Sequence, residues 1–271
     1  MLFTRPDGTL VKDVNPSRRI MPFIMKSRNE SAVYFEQHID LTKTLPFIDA
    51  WNSAKPEKKI TVFHIFLWAV VRALGQRPRL NRFVMGSRIW QRDGIWISFS
   101  AKKELKDGSP LIVLKRRFEP TVSFADCVDL IYGDVKEGRS DKLSHVDKEL
   151  KLFLSLPGPL LRLGVAFLRW LDRWNLLPGS FIHPDPMYAS MFIANLGSVR
   201  LDSAYHHLYE WGNCPFFAVV GRTKDVVTPE GTRRMCSIKY SFDERIEDGL
   251  YCAKGLELVK ELLEDPTAPP P

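Results

Sequence analysis

The sequence YSFDERIEDG occupies residues 240–249, near the C-terminus. It begins with alternating apolar and polar positions, which are typical of a half-buried strand. Asp248 and Gly249 then supply a tight turn and a capping carboxylate for a following helix. Loops at such junctions often present reactive side chains on a rigid scaffold. The stretch therefore predicts a strand–turn–helix unit and, at the turn, a candidate functional site.

The composition predicts one large folded domain. The chain has 271 residues, of which 45% are hydrophobic and 26% charged, so it can bury a substantial core. Its formal net charge of +7 is spread without a long basic run. Such an excess suits an anionic ligand or an acidic membrane surface, and equally a solvated surface rich in lysine. Because no nucleic-acid-binding signature is present, we expect no nucleic-acid partner.

The cysteines do not indicate a metal site. Cys127, Cys214, Cys236 and Cys252 are far apart and form no Cys-x-x-Cys pair. This spacing argues against both a zinc site and a disulfide framework. The N-terminus lacks the apolar segment of a signal peptide, and no apolar run reaches the roughly 20 residues of a spanning helix. We therefore expect no metal and a cytoplasmic location.

The hydrophobic pattern predicts a mixed order of helices and strands. Helices are predicted for residues 17–28, 42–53, 61–74, 124–136, 142–154 and 248–263. Strands are predicted for residues 31–41, 111–114, 188–195, 216–221 and 235–242, and two more lie within 87–100, joined by a hairpin turn at 92–94. Residues 1–16 carry turn signals and indicate an arm, and the proline-rich residues 267–271 indicate a disordered tail.

Residues 152–182 form an unusual hydrophobic stretch bounded by proline and glycine. Arg162, Arg169 and Arg173 recur at helical spacing and leave a wide apolar face from Leu160 to Trp174. Three interpretations stay open for this face. It is a core helix, a surface for another subunit or protein partner, or an amphipathic helix at a membrane interface.

Several segments, in order, resemble the catalytic domain of the dihydrolipoamide acyltransferases, the core subunits of 2-oxoacid dehydrogenase complexes. That domain shares its fold with chloramphenicol acetyltransferase. The segments are SRRIMPFIMKS at 17–27, the strand at 33–41 followed by Thr42, the helix at 60–81 that ends in RLN, FIANLG at 192–197, YSFDERIEDG at 240–249 and LLEDP at 262–266. The resemblance covers residues 17–266, with 152–182 as a helical elaboration. It implies an α/β fold of two layers, with a large mixed sheet and flanking helices.

The resemblance also implies an assembly and a substrate. It implies a homotrimer, or a cage of trimers, with the active site in a channel between subunits. In the family, coenzyme A and the acyl-lipoamide enter this channel from opposite ends. The lipoyl domain that usually precedes the catalytic domain is not among these 271 residues, which argues against the ordinary role in a complex core.

Two substitutions fall on the reacting groups that the resemblance implies. In the family, a histidine of the motif D-H-R-x-x-D-G removes the proton from the coenzyme A thiol, and Glu244 stands at its position. A serine or threonine of the T-I-S-N motif donates a hydrogen bond to the oxyanion, and Ala194 stands at its position. A glutamate with an ordinary pKa is a poor base for a thiol, although burial raises the pKa of a carboxyl group.

The rest of the implied motif is retained. In the family, its final acidic residue supports the site through an arginine of the opening helix, so Arg18 or Arg19 is expected to pair with Asp248. The retained motif and support positions are Arg18, Arg19, Asn195, Asp243, Arg245, Asp248 and Gly249.

Other side chains could replace the lost groups. Glu244 could act as a desolvated base, or it could form a structural ion pair with Arg245 or with an arginine of a neighbouring subunit. His206 or His207 could supply an imidazole, or both could lie at a surface or an interface. Ser198 could replace the oxyanion donor.

Two functions follow as hypotheses. The first is coenzyme A-dependent acyl transfer at an altered site. The second is a catalytically silent scaffold or partner-binding trimer.

Overall fold

The computed structural model of the protein describes residues 4–102, 111–138, 154–229 and 231–267. The helix predicted for residues 142–154 and the tail predicted for residues 267–271 lie outside the described residues, except for Leu154 and Thr267. Within the described residues, the helices are α1 (Pro16–Ile24), α2 (Thr44–Ala54), α3 (Val62–Gln76), α4 (Phe124–Gly138), α5 (Gly158–Arg173), α6 (Gly179–Ile182) and α7 (Gly249–Glu264).

The strands form two separate sheets. They are β1 (Thr4–Arg5), β2 (Gly8–Leu10), β3 (Ala32–Asp40), β4 (Arg82–Met85), β5 (Arg88–Arg92), β6 (Ile95–Lys102), β7 (Leu111–Phe118), β8 (Met191–Asn195), β9 (Phe216–Thr228) and β10 (Gly231–Asp243). The large sheet has the order β3-β10-β9-β8-β6-β7. In it, β8 runs parallel to β6 and β9, and the other pairs are antiparallel. The predicted mixed sheet is therefore confirmed.

The smaller sheet has the order β1-β2-β5-β4 and corrects one prediction. The two strands predicted within residues 87–100 are present and are joined at residues 92–94, but they belong to different sheets and do not form the predicted hairpin. Strand β5 instead pairs with β4 across Gly86-Ser87, where both residues have positive φ, 60° and 58°. That conformation is the two-residue turn whose twist suits a hairpin. Strand β6 passes into the large sheet, and β1 and β2, within the predicted arm, complete the smaller one.

Helix α3 lies at the centre of the main core. Its residues Ile65, Phe66 and Leu67 are consecutive and each has no exposed surface, so the helix is covered on all sides. It packs with α7, α4 and the large sheet. The sequence of this helix is apolar on every side, as expected for a helix that is buried all round. A helix with one face in solvent would show a single apolar stripe.

The opposite face of the large sheet has its own apolar cluster. Along β8 and β9, Phe192 and Phe217 belong to this cluster, whereas the alternating Ile193 and Ala218 belong to the main core. Successive side chains of a strand point to opposite faces, which explains the separation. Leu208 packs into the second cluster, so the segment after β8 returns across this face of the sheet.

Helix α5 does not lie in the core, which removes one of its three interpretations. Leu160, Leu163, Phe167 and Trp170 are between 51% and 67% exposed. Within the described residues, we find no helix whose length and apolar character would let it cross a membrane.

Candidate active site

The turn after β10 is fixed by a buried ion pair. Arg245 donates from Nε to Asp243 Oδ1 at 2.8 Å and from Nη2 to Asp243 Oδ2 at 2.7 Å. Ser31 Oγ donates to the same carboxylate at 3.0 Å, and Arg245 Nη1 donates to the Met25 carbonyl at 3.0 Å. Both charged groups are buried yet satisfied by these bonds, so they hold the turn in one geometry.

Glu244 lies between these two residues with its backbone anchored. Its N–H donates to the Ser31 carbonyl at 3.0 Å, and its carbonyl accepts a hydrogen bond from Arg18 Nη1. Its half-buried carboxylate makes no hydrogen bond or ion pair with the described residues. Arg245 is committed to Asp243, so the ion pair between Glu244 and Arg245 does not form within the chain. The backbone of Glu244 is thus held in place, and its carboxylate has no partner among the described residues.

Asp248 caps helix α7 and is exposed. Its Oδ1 accepts a hydrogen bond from the Tyr251 N–H at 2.8 Å. This bond is the main cause that lowers the pKa of Asp248, and the positive charge of Arg18 contributes. Within the described contacts Arg18 binds the Glu244 carbonyl, and neither it nor the exposed Arg19 forms an ion pair with Asp248.

Gly249, the first residue of α7, faces open space. A Cβ added at this position would meet no atom of the described residues within 4 Å. Packing against the described part of the chain therefore does not explain a glycine here.

The predicted oxyanion-donor position, Ala194, is apolar, and the hydroxyl of its predicted substitute, Ser198, is already hydrogen-bonded. Ala194 is half-buried near the end of β8. The following turn is closed by Asn195, whose Oδ1 accepts from the Ser198 N–H at 3.3 Å. Ser198 Oγ donates to the Asn195 carbonyl at 2.7 Å. A hydroxyl has a single O–H, so Ser198 has no proton left to donate to an oxyanion in this conformation.

One chain does not bring Glu244 and Ala194 together. Ala194 is in register with Val219 of β9, which is in register with Lys239 of β10. Two strand spacings, about 10 Å, therefore separate Ala194 from Lys239, and Glu244 lies five residues, about 16 Å, further along β10. The combined separation is about 19 Å, far beyond the reach of a shared substrate atom.

His206 lies on the same face of the sheet as Ala194. Its ring stacks on Phe217 with centroids 3.8 Å apart, and Phe217 is in register with Phe192, two residues before Ala194. The His206 carbonyl accepts from Ser241 Oγ at 2.5 Å, which ties the segment to β10. Partial burial lowers the pKa of His206, which favours the neutral form of its imidazole.

His207 is the exposed member of the histidine pair. Its ring stacks on that of His206 with centroids 4.6 Å apart. Of the two predicted imidazoles, His206 is therefore the one that the structure brings towards the Ala194 position.

The structure also reveals a basic cleft that the sequence did not indicate. Its volume is about 240 Å³, and its charged lining residues are Lys26, Arg28, Arg169, Arg173, Arg245, Asp172 and Glu210. The two carboxylates are occupied. Asp172 pairs with Arg5 at 2.9 Å, and Glu210 accepts from the backbone of Asn29 at 3.0 Å. No sequence signal predicts the cleft, because its cations come from distant segments.

The cysteines are unsuited to nucleophilic catalysis. All four are free and buried. Burial raises the pKa of Cys127, Cys236 and Cys252 to about 12 and also raises that of Cys214. A thiolate, the reactive form, is therefore scarce at neutral pH. Among the described residues, no group of three His, Cys, Asp or Glu side chains could hold a metal ion.

Comparison with known proteins supports the fold described above. Residues 9–114 match the sequence model of a family described as 2-oxoacid dehydrogenases acyltransferase (catalytic domain). The fold is similar to that of a probable dihydrolipoamide acetyltransferase from Listeria monocytogenes, with a TM-score of 0.61, 20% identity and 94% of each chain covered. No curated protein sequence matches the chain significantly.

Two further structures share this fold. One is the cubic core of a pyruvate dehydrogenase multienzyme complex, with a TM-score of 0.61, 17% identity, and 95% of this chain and 93% of that chain covered. The other is chloramphenicol acetyltransferase, with a TM-score of 0.54, 13% identity, and 94% of this chain and 99% of that chain covered. The predicted fold and the predicted resemblance are confirmed.

Proposed function

We propose that this chain, which has the fold of the dihydrolipoamide acyltransferase catalytic domain, transfers an acyl group between coenzyme A and an acceptor, with Glu244 as the proton acceptor. The observation that carries the proposal is the state of the Glu244 carboxylate. Its neighbours Asp243 and Arg245 are consumed by buried bonds, whereas this carboxylate is half-buried and without a partner in the described chain.

The chemistry requires a base because a thiol with a pKa near 8.5 is mostly protonated at pH 7. In the proposed step, the Glu244 carboxylate takes the thiol proton as the sulfur attacks the acyl carbonyl. The bond from the carbonyl carbon to the leaving group then breaks, and the leaving group takes the proton back from Glu244.

We propose that the site forms between subunits of a homotrimer, alone or within a cage. The separation of about 19 Å between Glu244 and Ala194 supports this, because a neighbouring chain is needed to bring such positions to one substrate. The open space around Gly249 supports it too, since another chain could approach there. Similarity to a cubic multienzyme core is consistent with such an assembly.

The basic cleft supports a ligand that bears phosphates, as coenzyme A does. Lys26, Arg169 and Arg173 are exposed cations at its rim, whereas Arg245 in its lining is already paired with Asp243. With both lining carboxylates occupied by other groups, the cleft carries an excess of positive charge that favours an anion. We place the protein in the cytoplasm, where coenzyme A is available.

A silent scaffold is the second candidate, and one observation favours it. Ala194 offers no side-chain donor, and the hydroxyl of Ser198 is committed to Asn195. Loss of one oxyanion donor costs about 10² to 10³ in rate in other enzymes. If no neighbouring group replaces that donor, the trimer would bind partners without catalysing transfer.

Calorimetry with coenzyme A separates the two candidates. The enzyme hypothesis predicts saturable binding, followed by release of free thiol from acetyl-coenzyme A that rises when dihydrolipoamide is added. Absence of binding at millimolar coenzyme A would refute it and leave the scaffold. Light scattering tests the assembly in the same samples, and a monomer would contradict the trimer that both candidates assume.

A further inference from the structure

Helix α5 presents three distinct stripes of side chains. At 100° per residue, Leu160, Leu163, Phe167 and Trp170 fall within an arc of about 80°. The stripe of Arg162, Arg169 and Arg173 is centred about 120° away, and Asp172 lies almost opposite the apolar stripe, about 160° away. The third, body-facing stripe contains Leu161, Val165, Leu168 and Asp172, which are less exposed than the other two sets.

The rotation of α5 about its axis is fixed by a buried charge. Asp172 is 5% exposed, pairs with Arg5 at 2.9 Å and accepts from the Tyr188 hydroxyl at 2.8 Å. Leu168 and Leu171 pack against the small cluster that contains Tyr188. Turning the helix to hide its apolar stripe would break this buried pair, which is costly. The apolar stripe is therefore held outward.

The outward stripe is large and aromatic. Phe167 and Trp170 are 56% and 51% exposed and stack on each other with centroids 6.1 Å apart. The exposed side chains of Leu163 and Trp174 continue the stripe, at 67% and 43%. Tryptophan and phenylalanine beside leucine are the side chains that insert at the boundary between lipid headgroups and acyl chains.

The charges of α5 are all positive on its exposed side. Arg162, Arg169 and Arg173 are exposed, and the helix's one carboxylate, Asp172, is neutralised by Arg5. An anionic surface is the electrostatic complement of this helix. The long arginine side chains can reach headgroups while the apolar stripe inserts.

A second copy of the chain related by a two-fold axis is a poorer occupant of this stripe. A two-fold contact through the stripe would set the arginine row of one α5 near that of the other. Neither helix offers an exposed carboxylate to balance those charges. An anionic bilayer supplies the missing negative charge and a fitting apolar layer at once.

We propose that α5 docks the protein on the surface of an anionic lipid bilayer, with Leu160, Leu163, Phe167, Trp170 and Trp174 inserted at the headgroup boundary and Arg162, which does not line the basic cleft, binding lipid phosphates. The helix lies along the membrane, because its 16 residues, about 24 Å long, carry an exposed basic stripe as well as the apolar one.

Co-sedimentation with vesicles tests this docking on the full chain. We expect the protein to pellet with phosphatidylcholine vesicles that contain phosphatidylglycerol, to bind pure phosphatidylcholine less, and to be released by high salt. Trp170→Glu should lower the partition coefficient at least about tenfold, because it removes inserted apolar area and adds a repelled charge. Leu163→Glu should act in the same direction. Arg162→Gln should weaken binding to the anionic vesicles alone.

Val227→Glu is the matched control, since Val227 is 84% exposed on β9 and the substitution makes the same change of charge. It should leave binding unchanged. The docking is overturned if the protein stays in solution with anionic vesicles, or if Trp170→Glu and Val227→Glu behave alike. It is also overturned if Trp170→Glu lowers the mass measured by light scattering, because the stripe would then be a subunit contact.

Discussion

Arg245 donates two hydrogen bonds, of 2.8 and 2.7 Å, to the Asp243 carboxylate, and a single residue separates the two in sequence. Both side chains are almost fully buried, at 3% and 0% exposure. The residue between them, Glu244, keeps its carboxylate outside this pair. The buried ion pair thus fixes the turn from which a different carboxylate projects.

Breaking that pair should destabilise the fold. Arg245→Met leaves Asp243 buried without its counter-charge, so the free energy of unfolding should fall by about 3–5 kcal/mol. Arg234→Met is the control, because Arg234 pairs with Asp225 at 3.3 Å where both are exposed, and its loss should cost less than about 1 kcal/mol. Urea denaturation measures both. Equal losses in the two variants would contradict a structural role for the buried pair.

Glu244→Gln should abolish acyl transfer while leaving the fold intact. The amide cannot accept the thiol proton, so the turnover rate should fall by about 10² to 10⁴. Glu257→Gln, at an exposed position on α7, should have no effect. Thiol release from acetyl-coenzyme A measures the rates. The outcome that reverses the assignment is loss of activity in His206→Asn with activity kept in Glu244→Gln, since the imidazole would then be the base.

Ala194→Ser should raise the rate of transfer. A hydroxyl at this position supplies an oxyanion donor, whose loss in other enzymes costs about 10² to 10³, so we expect a gain of about 10- to 100-fold. Ala204→Ser, at an exposed position, serves as the control. Single-turnover kinetics separate this gain from a change in coenzyme A affinity. An unchanged rate constant with intact binding would exclude Ala194 from the oxyanion site.

Stability should fall in acid because of His64. This side chain closes the N-terminal cap of α3, where its Nδ1 accepts the Thr61 N–H at 3.1 Å, and burial lowers its pKa from 6.5 to about 4. The folded state therefore binds this proton less readily than the unfolded state. The stabilisation is complete above pH 6.5 and is lost between pH 6.5 and 4, by an amount on the order of 3 kcal/mol.

Thermal unfolding across this pH range, compared between His64→Gln and the wild type, measures the His64 contribution. His38→Gln, at an exposed position on β3, should keep the pH dependence. If His64→Gln keeps it as well, another group is responsible.

The hydrophobic periodicity of the sequence predicts most of the helices and strands, because burial repeats regularly along each of them. A continuous apolar run predicts helix α3, and the alternation of apolar and polar residues predicts β10, because each element has the same environment along its length. The hairpin at residues 92–94 was predicted wrongly because turn chemistry there resembles that of Gly86-Ser87. Which of two turns closes a hairpin depends on which sheet the next strand joins, and this is a long-range property.

The site was less predictable than the fold. The resemblance placed Glu244 and Ala194 at their motif positions, but only the sheet register shows that about 19 Å separates them in one chain. The sequence also left the direction of the α5 apolar stripe open. Its orientation depends on the contact between Asp172 and Arg5, which are far apart in sequence and meet only in the folded protein.

The edge position of β3 has a consequence during synthesis. Among the described strands, β3 pairs only with β10, with Val33 opposite Phe242, about 200 residues later. At roughly 5–20 residues per second, a ribosome needs on the order of 10 to 40 s to make the partner of a strand already finished. During that time the apolar side chains of β3, Val33, Phe35 and Ile39, lack their neighbouring strand β10. We therefore expect the nascent chain to depend on chaperones until its last strand emerges.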